Sequence, residues 1–399
     1  MVSRAFFSNE HSYYFFSAIL FNVIITVTTT VVPLTATTNF PIKLTSSNFP
    51  VWKCQVHSPL VGLGLDAYVD GAVQTPDQFL DTAKTQPNPC YTICVVESVG
   101  EGVRDLKAGD KVVAVFNGEC GSCKYCESSK TNLCEKFRVD PGRSVMVGDG
   151  KCRFSTKDDK PIYHFLNTST FSQYTVINSA CVAKIDPIAP LKNMTLLSCG
   201  VSSGVGAVWN TADVQAGETV AVFGMGAVGL AVVEGARVRG ASKIIAVDIN
   251  SDKRIKGEAI GITHFINPKE IDKPVHQEIR EMTGGGVNYS FECAGNVDVL
   301  REAFLSTIDG WGLTVMLGIH PSPRMLPFHP MELFDGRRIV ASVFGDFKGK
   351  SQLPNLVKRC MEGVVKLDEF ITHEMPFANI NEAFQLLVDG KSLRCLLHL

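Results

Sequence analysis

The sequence predicts an α/β chain built on a doubly wound parallel sheet, and three observations support this fold class. A β-branched apolar run at 220–223 precedes a glycine-rich turn, a small-residue segment long enough for a helix, and a second apolar run at 244–247. Later apolar runs at 291–295 and 315–319 have the length and composition of buried parallel strands. From residue 95 onward, the segments between glycine turns instead contain alternating apolar residues, which indicates strands of a small barrel.

The turn between the two leading strands carries glycines with the spacing G-x-G-x-x-G, at Gly224, Gly226 and Gly229. Between a strand and a helix, this spacing is typical of dinucleotide binding. The first glycine permits the tight turn, the second lets the backbone approach a pyrophosphate, and the third lets the helix pack on the strand. The pyrophosphate would lie at the helix N-terminus, where free N–H groups favour an anion. A tight turn without any ligand would also explain these glycines.

An acidic residue ends the second strand of this unit. Asp248 lies nineteen residues beyond Gly229. At that place a carboxylate can accept hydrogen bonds from both hydroxyls of the adenine ribose, and it would repel a 2′-phosphate. The sequence therefore predicts NAD rather than NADP as the cofactor.

Four cysteines are clustered on a loop rich in Gly, Ser and Lys. They have the spacing C-x2-C-x2-C-x7-C and are Cys120, Cys123, Cys126 and Cys134. Four thiolates can complete the tetrahedral shell of Zn²⁺ and leave no position open for water, so the site would be structural. A disulfide or a chance cluster is the alternative. With 13 cysteines in 399 residues the chain is too long for a small disulfide-stapled fold, and we expect a reducing, cytoplasmic compartment.

The motifs of the last three quarters of the chain resemble, in kind and order, those of plant-type zinc-dependent medium-chain alcohol dehydrogenases. They are GECGSCKYC at the cysteine cluster, LSCGVSSGVGA at 197–207, the glycine turn and the closing SLRCLLHL. The resemblance implies a Rossmann-type NAD-binding domain inserted in a GroES-like β-barrel catalytic domain that is truncated at its N-terminus. It also implies a homodimer joined through the nucleotide-domain sheets, with edge strands near 313–318 and 339–344. The implied reaction is zinc-dependent hydride transfer between an alcohol and NAD, giving an aldehyde or a ketone.

The resemblance also assigns residues to the site. Cys199 matches a ligand of the catalytic zinc, and Ser203 matches a hydroxyl beside the nicotinamide. Lys253 matches a lysine near the adenosine ribose, the backbone near Ile319 matches the contact to the carboxamide, and Arg394 matches a pyrophosphate-binding arginine. Taken without the family, Cys199 is an ordinary buried cysteine, Ile319 lies in sheet core, and the two cations are surface residues.

The remaining ligands of the catalytic zinc have no match. The family's first ligand lies in a Cys-His-x-Asp or Cys-x-x-Ser motif about twenty residues before a Gly-His-Glu motif, and no such arrangement exists here. The Gly-His-Glu place is occupied by Pro89, Cys90 and Tyr91. Cys90 could join Cys199 as a zinc ligand, but two thiolates without a third ligand bind weakly. We therefore expect impaired activity; the alternative is a catalytically inactive chimeric protein that binds NAD and zinc.

The first 93 residues do not continue these patterns. Residues 1–38 form an apolar leader, in which residues 13–34 are long enough for a membrane or secretory segment but are diluted by threonine and broken by Pro33. Residues 39–93 resemble the N-terminal segment of Copia-type retroelement polyproteins. That resemblance is carried by Leu44, Thr45, Asn48, Phe49, Trp52 and the Gly-Leu-Asp-x-Tyr run at 64–68. Because this resemblance ends where the zinc ligands are lost, we hypothesise that residues 1 to about 93 replaced the dehydrogenase's own first exons.

The rest of the chain is expected to form three parts. They are a partial catalytic domain with the cysteine lobe at 94–200, an NAD-binding domain at 201–345, and a return to the catalytic domain at 346–399. A net charge of −2 without a basic stripe argues against nucleic acid. A small alcohol or aldehyde and a second copy of the chain are the expected partners, and a membrane is not. The loss of several strands of the first domain would expose strand edges and apolar surface. A product that aggregates or is degraded is therefore a further alternative.

Overall fold

The computed structural model describes residues 93–140, 142–172, 174–320 and 324–398. The apolar leader, the retroelement-like segment up to residue 92 and Cys90 lie outside these ranges. Among the helices of the described part, none is both long and apolar enough to cross a bilayer.

The chain first builds a small antiparallel β unit. Its strands are β1 (Ile93–Val95), β2 (Lys111–Ala114), β3 (Phe154–Ser155), β4 (Pro161–Ile162) and β5 (Val182–Lys184). β2 lies between β1 and β5 in a three-stranded sheet, and β3 pairs with β4 in a separate hairpin. Val112, Val113 and Ala114 are buried in β2, so this strand forms the core of the unit.

A parallel sheet of six strands forms the second part. The strands are β6 (Thr219–Phe223), β7 (Lys243–Val247), β8 (His264–Ile266), β9 (Tyr289–Glu292), β10 (Leu313–Met316) and β11 (Arg338–Ala341). Their spatial order is β11-β10-β9-β6-β7-β8. The chain therefore runs from β6 outward to β8, then crosses to the other side of β6 and continues outward from β9 to β11. The predicted doubly wound sheet is confirmed. The direction reverses between β6 and β9, where the carboxyl ends of the strands form the ligand crevice of such sheets.

Ten α-helices lie in the described residues. They are α1 (Lys124–Glu127), α2 (Leu191–Met194), α3 (Gly200–Gly206), α4 (Ala227–Arg239), α5 (Lys253–Ile260), α6 (Val275–Thr283), α7 (Val297–Leu305), α8 (Met331–Phe334), α9 (Leu353–Met361) and α10 (Ile380–Val388). α3 continues directly into a π-helical turn at Ala207–Thr211. α4 ends at Gly240, whose φ of 77° lets the chain leave the helix in a left-handed conformation.

The last strands, β12 (His373–Pro376) and β13 (Cys395–His398), pair in parallel on either side of α10. The sequence predicts that helix at 379–389, and the structure confirms it to within one residue at each end. It is followed by Gly390, which has a φ of 70°.

One hydrophobic core connects the β unit with the parallel sheet. Val113 from β2, Val205 from α3 and Leu230 from α4 are fully buried in it. α3 and α4 touch along small residues, since a Cβ on Gly204 would lie 2.5 Å from the carbonyl oxygen of Val228. The close contact of these two helices brings the candidate site residues on α3 next to the glycine turn.

The position of β10 differs from the expectation. β10 lies inside the sheet, with Leu313 opposite Tyr289 of β9 on one side and Arg338 of β11 on the other. The prediction that 313–318 forms an edge of the sheet is therefore wrong, because this strand is buried between two neighbours. β11 is the outer strand, as expected for 339–344, although it ends at Ala341.

Candidate functional site: a nucleotide crevice and a cysteine lobe

The glycine turn after β6 has a different geometry at each of its three glycines. Gly224 has a φ of +95°, a conformation that residues with a side chain rarely adopt. A Cβ on Gly229 would lie 1.8 Å from the carbonyl oxygen of Gly224, so α4 touches the turn directly. A Cβ on Gly226 would meet nothing within 4 Å. The space in front of the helix start is therefore open.

The start of α4 faces an arginine. Gly226 is the N-cap of α4, and no side chain caps its first turn. A Cβ on Gly200 would lie 2.7 Å from Nη2 of Arg394 and 3.9 Å from Cβ of Ala227, the first residue of α4. Arg394 forms no ion pair with a carboxylate of the described residues, and burial lowers the pKa of its guanidinium. A cation without an anion beside a helix N-terminus is suited to binding phosphate.

Asp248 is fixed at the end of β7 and reaches back to the turn. Its Oδ2 accepts a hydrogen bond from the N–H of Met225 at 2.7 Å, and its Oδ1 accepts one from the N–H of Asn250 at 2.9 Å. Each carboxylate oxygen keeps a further lone pair for a ligand. Lys253 donates to the carbonyl of Gly390 at 3.3 Å; burial lowers the pKa of its amine, and the charge of Asp248 opposes that shift.

Cys199 and Ser203 lie one turn apart at the start of α3. Cys199 is the N-cap of this helix, and its carbonyl accepts a hydrogen bond from the N–H of Ser203 at 2.9 Å. Surrounding protein raises the pKa of the Cys199 thiol, while Arg394 opposes the shift. The residue as a whole nevertheless keeps solvent-exposed surface.

The described residues do not complete a catalytic zinc site around Cys199. Within the described ranges, the four-cysteine cluster is the only group of three or more metal-ligating side chains close enough to share an ion, and Cys199 does not belong to it. A catalytic zinc takes three protein ligands and keeps one position open. Cys199 alone does not meet that requirement, and Cys90 lies outside the described residues.

Ile319 follows β10 at the carboxyl end of the sheet. Its carbonyl oxygen would lie 2.4 Å from a Cβ on Gly295, whose φ is +70°. The backbone expected to meet the nicotinamide therefore lies against the turn that follows β9. This place is on the same edge of the sheet as the glycine turn.

Glu292 lies in a strand predicted to be buried, had no predicted role in the site, and joins the ends of β9 and β10. Its side chain is fully buried, and Oε1 accepts hydrogen bonds from the N–H groups of Ala294 and Gly295, each at 2.7 Å. Its backbone carbonyl accepts the N–H groups of Leu317 and Gly318, each at 2.8 Å. A single acidic residue inside an apolar strand is the sequence signal that could have identified it. A buried carboxylate requires hydrogen-bond donors to offset its loss of hydration.

The four-cysteine cluster has the geometry of a metal site. All four sulfurs lie within 4.8 Å of one another. The Sγ atoms of Cys120 and Cys126 are 3.9 Å apart, close to the separation of about 3.8 Å that a tetrahedral shell with Zn–S bonds of about 2.3 Å requires. The N–H of Cys126 donates to Sγ of Cys123 and the N–H of Phe137 to Sγ of Cys134, each at 3.4 Å. These residues fit a structural zinc ion.

The thiols of the cluster differ in their ease of ionisation. A hydrogen bond from the backbone of Glu135 is the main cause that lowers the pKa of Cys123 to about 6. Burial raises the pKa of Cys126 to about 12. Ionisation of all four thiols at this spacing requires a cation between them, because neighbouring thiolates repel one another.

The cysteine lobe is fastened to the chain where it returns from the parallel sheet. The side-chain amide of Asn132 donates to the carbonyls of Val343 and Phe347, at 2.7 Å and 3.1 Å. The amine of Lys348 donates to the carbonyl of Cys126. These contacts are not predictable from the sequence, because no local pattern marks an asparagine as an anchor.

Comparisons with known proteins agree with this architecture. Residues 89–187 match the family model "Alcohol dehydrogenase GroES-like domain", and residues 227–362 match "Zinc-binding dehydrogenase". The chain is 66% identical to Alcohol dehydrogenase-like 3 of Arabidopsis thaliana over 313 residues, which are 76% of this chain and 79% of the relative. It is 52% identical to Alcohol dehydrogenase class-3 of Pisum sativum over 303 residues, 76% of this chain and 80% of the relative.

Solved structures share the fold. An alcohol dehydrogenase zinc-binding domain protein from Burkholderia ambifaria superposes with a TM-score of 0.71 at 34% identity, covering 77% of this chain and 82% of its own. Benzyl alcohol dehydrogenase from Acinetobacter calcoaceticus gives a TM-score of 0.67 at 28% identity over the same shares of the two chains. The Rossmann-type sheet combined with a GroES-like domain is thus confirmed. The chain belongs to the zinc-dependent medium-chain alcohol dehydrogenases, a family of NAD-dependent oxidoreductases.

Proposed function

We propose that this chain binds NAD and one structural zinc ion, and that its oxidation of alcohols is impaired or lost. The family reaction is hydride transfer between an alcohol and NAD, giving an aldehyde or a ketone. One observation carries the proposal: the nucleotide turn and the cysteine lobe are each complete, whereas Cys199 has no zinc-binding partners among the described residues. We assign NAD binding to residues 201–345 and the partial catalytic domain to 94–200 and 346–399.

The cofactor is proposed to lie along the carboxyl edge of the parallel sheet. Its pyrophosphate would bind the N–H groups at the start of α4 next to Gly226, with the guanidinium of Arg394 on its other side. Asp248 would accept hydrogen bonds from the adenine ribose, with Lys253 nearby, and its charge favours NAD over NADP. Ser203 and the backbone at Ile319 would border the nicotinamide.

Zinc in the catalytic position supplies a Lewis acid that stabilises the deprotonated oxygen of an alcohol. Cys199 alone does not hold that ion, so no step of the reaction is assigned to this chain's own residues. A replacement site that includes Cys90 is the alternative that would restore turnover.

The origin of the first 93 residues bears on this proposal. We propose that the segment resembling Copia-type polyproteins replaced the N-terminal part of the dehydrogenase, because the resemblance to retroelement sequence ends where the Gly-His-Glu motif would begin. Long-read sequencing of the transcript tests this. An uninterrupted exon that encodes Gly-His-Glu would contradict the replacement.

A homodimer in the cytoplasm is the proposed state of the protein. Among the described residues β11 is the outermost strand at one end of the sheet. Val340 on this strand and Met331 and Phe334 before it are exposed apolar side chains. Ten cysteines of the described residues, from Cys120 to Cys395, are free thiols, which favours a reducing compartment.

The zinc content of the purified full-length chain tests the main proposal. We expect one zinc per chain by elemental mass spectrometry against amino-acid analysis, together with NADH binding and no measurable oxidation of primary alcohols. Cys134→Ser should lose the zinc, whereas Cys152→Ser, outside the cluster, should keep it. Two zinc ions per chain together with turnover would contradict the proposal, and Cys90→Ser would then identify the replacement ligand.

A further inference from the structure

A buried polar pair at the carboxyl ends of β9 and β10 has no part in the site as described so far. Oε2 of Glu292 and both ring nitrogens of His320 are buried and have no hydrogen-bond partner among the described residues. Oε2 of Glu292 and Nε2 of His320 are 3.5 Å apart. The side chain of Glu292 has no accessible surface, and that of His320 retains 18%. Buried polar groups are nearly always paired, so three unpaired atoms in one place require an explanation.

The backbone beside this pair is packed without intervening side chains. A Cβ on Gly318 would lie 2.2 Å from the backbone nitrogen of Gly295 and 2.4 Å from Oε2 of Glu292. The carbonyl of Ile319 is similarly close to Gly295. Glycine on both sides lets the two segments touch, and the backbone bonds from Leu317 and Gly318 to the carbonyl of Glu292 end before Ile319. The contact between Glu292 and His320 supplies a side-chain link between the turn after β9 and the segment after β10.

Glu292 can serve as the fixed half of this link. Its Oε1 is held by the N–H groups of the turn after β9, and its own carbonyl holds the segment after β10. These bonds leave Oε2 directed at the imidazole. A small rotation of the ring would shorten the gap of 3.5 Å to the length of about 2.8 Å that is usual for a hydrogen bond to a carboxylate.

We propose that His320 is a positioning residue for the nicotinamide end of the cofactor. By donating from Nε2 to Glu292, His320 fixes the backbone at Ile319, and it does so without touching the cofactor itself. The ADP half of the cofactor would bind on the other side of β6, at Gly226 and Asp248, and does not depend on this link. The inference rests on the proposed NAD binding.

The test compares NADH with ADP-ribose, which lacks the nicotinamide, in titrations of the full-length protein. His320→Ala is expected to weaken NADH binding about tenfold, the loss typical of one charged hydrogen bond, and to change ADP-ribose binding by less than about twofold. His320→Gln, whose amide nitrogen lies near the place of Nε2, should restore most of the NADH affinity. His320→Asn, one methylene shorter, should behave like His320→Ala. His264→Ala, on β8, is the control and should bind both ligands normally.

The outcomes separate this inference from the function on which it rests. Unchanged NADH binding in His320→Ala, equal losses of both ligands, or equal behaviour of the Gln and Asn variants would overturn the positioning role alone. ADP-ribose binding without NADH binding in the unsubstituted protein would also overturn it, because the nicotinamide would then make no contact. Binding of neither ligand by the unsubstituted protein would overturn the proposed NAD binding and this inference together.

Discussion

Gly229 and Gly226 belong to the same turn but lack a side chain for different reasons. At Gly229 a methyl group would collide with the carbonyl of Gly224, and backbone atoms of a packed helix cannot move aside cheaply. At Gly226 the space is open, so the missing side chain matters for what approaches from outside. The two positions can therefore be separated by experiment.

Gly229→Ala is expected to destabilise the protein by about 2 kcal/mol, because overpacking forces the helix away from the turn. Gly226→Ala should cost less, about 0.5 to 1 kcal/mol, because glycine is the better N-cap residue, and it should also weaken NADH binding. Urea unfolding followed by tryptophan fluorescence measures the first effect, and fluorescence titration with NADH the second. Equal stability of the two variants would show that the contact between Gly229 and Gly224 is looser than the structure has it.

Asp248 offers a test of cofactor choice. In Asp248→Asn the side chain can still accept from the N–H of Met225, so the turn should be retained while the negative charge is lost. We expect the ratio of the NADPH to the NADH dissociation constant to fall at least about tenfold. Asp252→Asn, an exposed change four residues away, is the control and should leave the ratio as it is. An unchanged ratio in Asp248→Asn would remove the basis for preferring NAD.

Among the elements, the short helix α8 is joined to α7 by an ion pair. Arg301 of α7 donates two hydrogen bonds to the carboxylate of Glu332 on α8, at 2.6 Å and 2.5 Å. The bonds from Arg301 hold the pKa of Glu332 below its ordinary value of 4.5. Both side chains are largely buried, so the pair is shielded from solvent better than most surface pairs.

This ion pair predicts a pH dependence of stability. Because the pKa of Glu332 is lowered in the folded protein, its contribution is complete above about pH 5 and is lost as the pH falls through the folded-state value. Glu332→Gln should therefore cost about 1 kcal/mol near pH 7, and this cost should shrink as the pH falls through the lowered folded-state pKa of Glu332, where glutamate also becomes neutral. Urea unfolding at a series of pH values measures this. Glu101→Gln, at an exposed position, should show no such trend, and a constant cost for Glu332→Gln would exclude the ionic origin.

The sequence predicts the elements well where the pattern is local. The glycine turn, both flanking strands, Asp248 and the helix at α10 all follow from residues that are close together in the chain. The error at β10 has a topological cause. An apolar run identifies a buried strand, but which neighbours it pairs with depends on the order in which the crossovers place the strands.

At the scale of the whole molecule, β11 is the outermost strand of the parallel sheet in the described residues, and this position predicts self-association. Val340 lies on β11 and is 38% exposed, and an unpaired apolar edge favours pairing with another strand. Val340→Lys should convert the proposed dimer to monomer, as measured by analytical ultracentrifugation. Ile188→Lys changes a residue that is 78% exposed in the other part of the fold and should leave the mass unchanged. A dimer in Val340→Lys would place the interface elsewhere.

Part of the site could not be predicted because it exists only after the chain has assembled. Arg394 lies beside the first residue of α3 although nearly two hundred residues separate them, and the family resemblance gave a role for Arg394 without its neighbour. The link between Glu292 and His320 and the anchoring of Asn132 have the same origin. Each depends on how distant segments pack, which spacing and hydrophobic period do not encode.

The anchor of the cysteine lobe has a consequence for the time course of synthesis. Asn132 and Val343 are 211 residues apart, and a ribosome adds about 5–20 residues per second, so about 10–40 s separate the emergence of the loop from that of its partner. All four sulfur ligands, by contrast, lie within the fifteen residues from Cys120 to Cys134 and leave the ribosome almost together. Metal capture can therefore precede anchoring during translation, and the zinc supply in that interval would set the yield of mature protein.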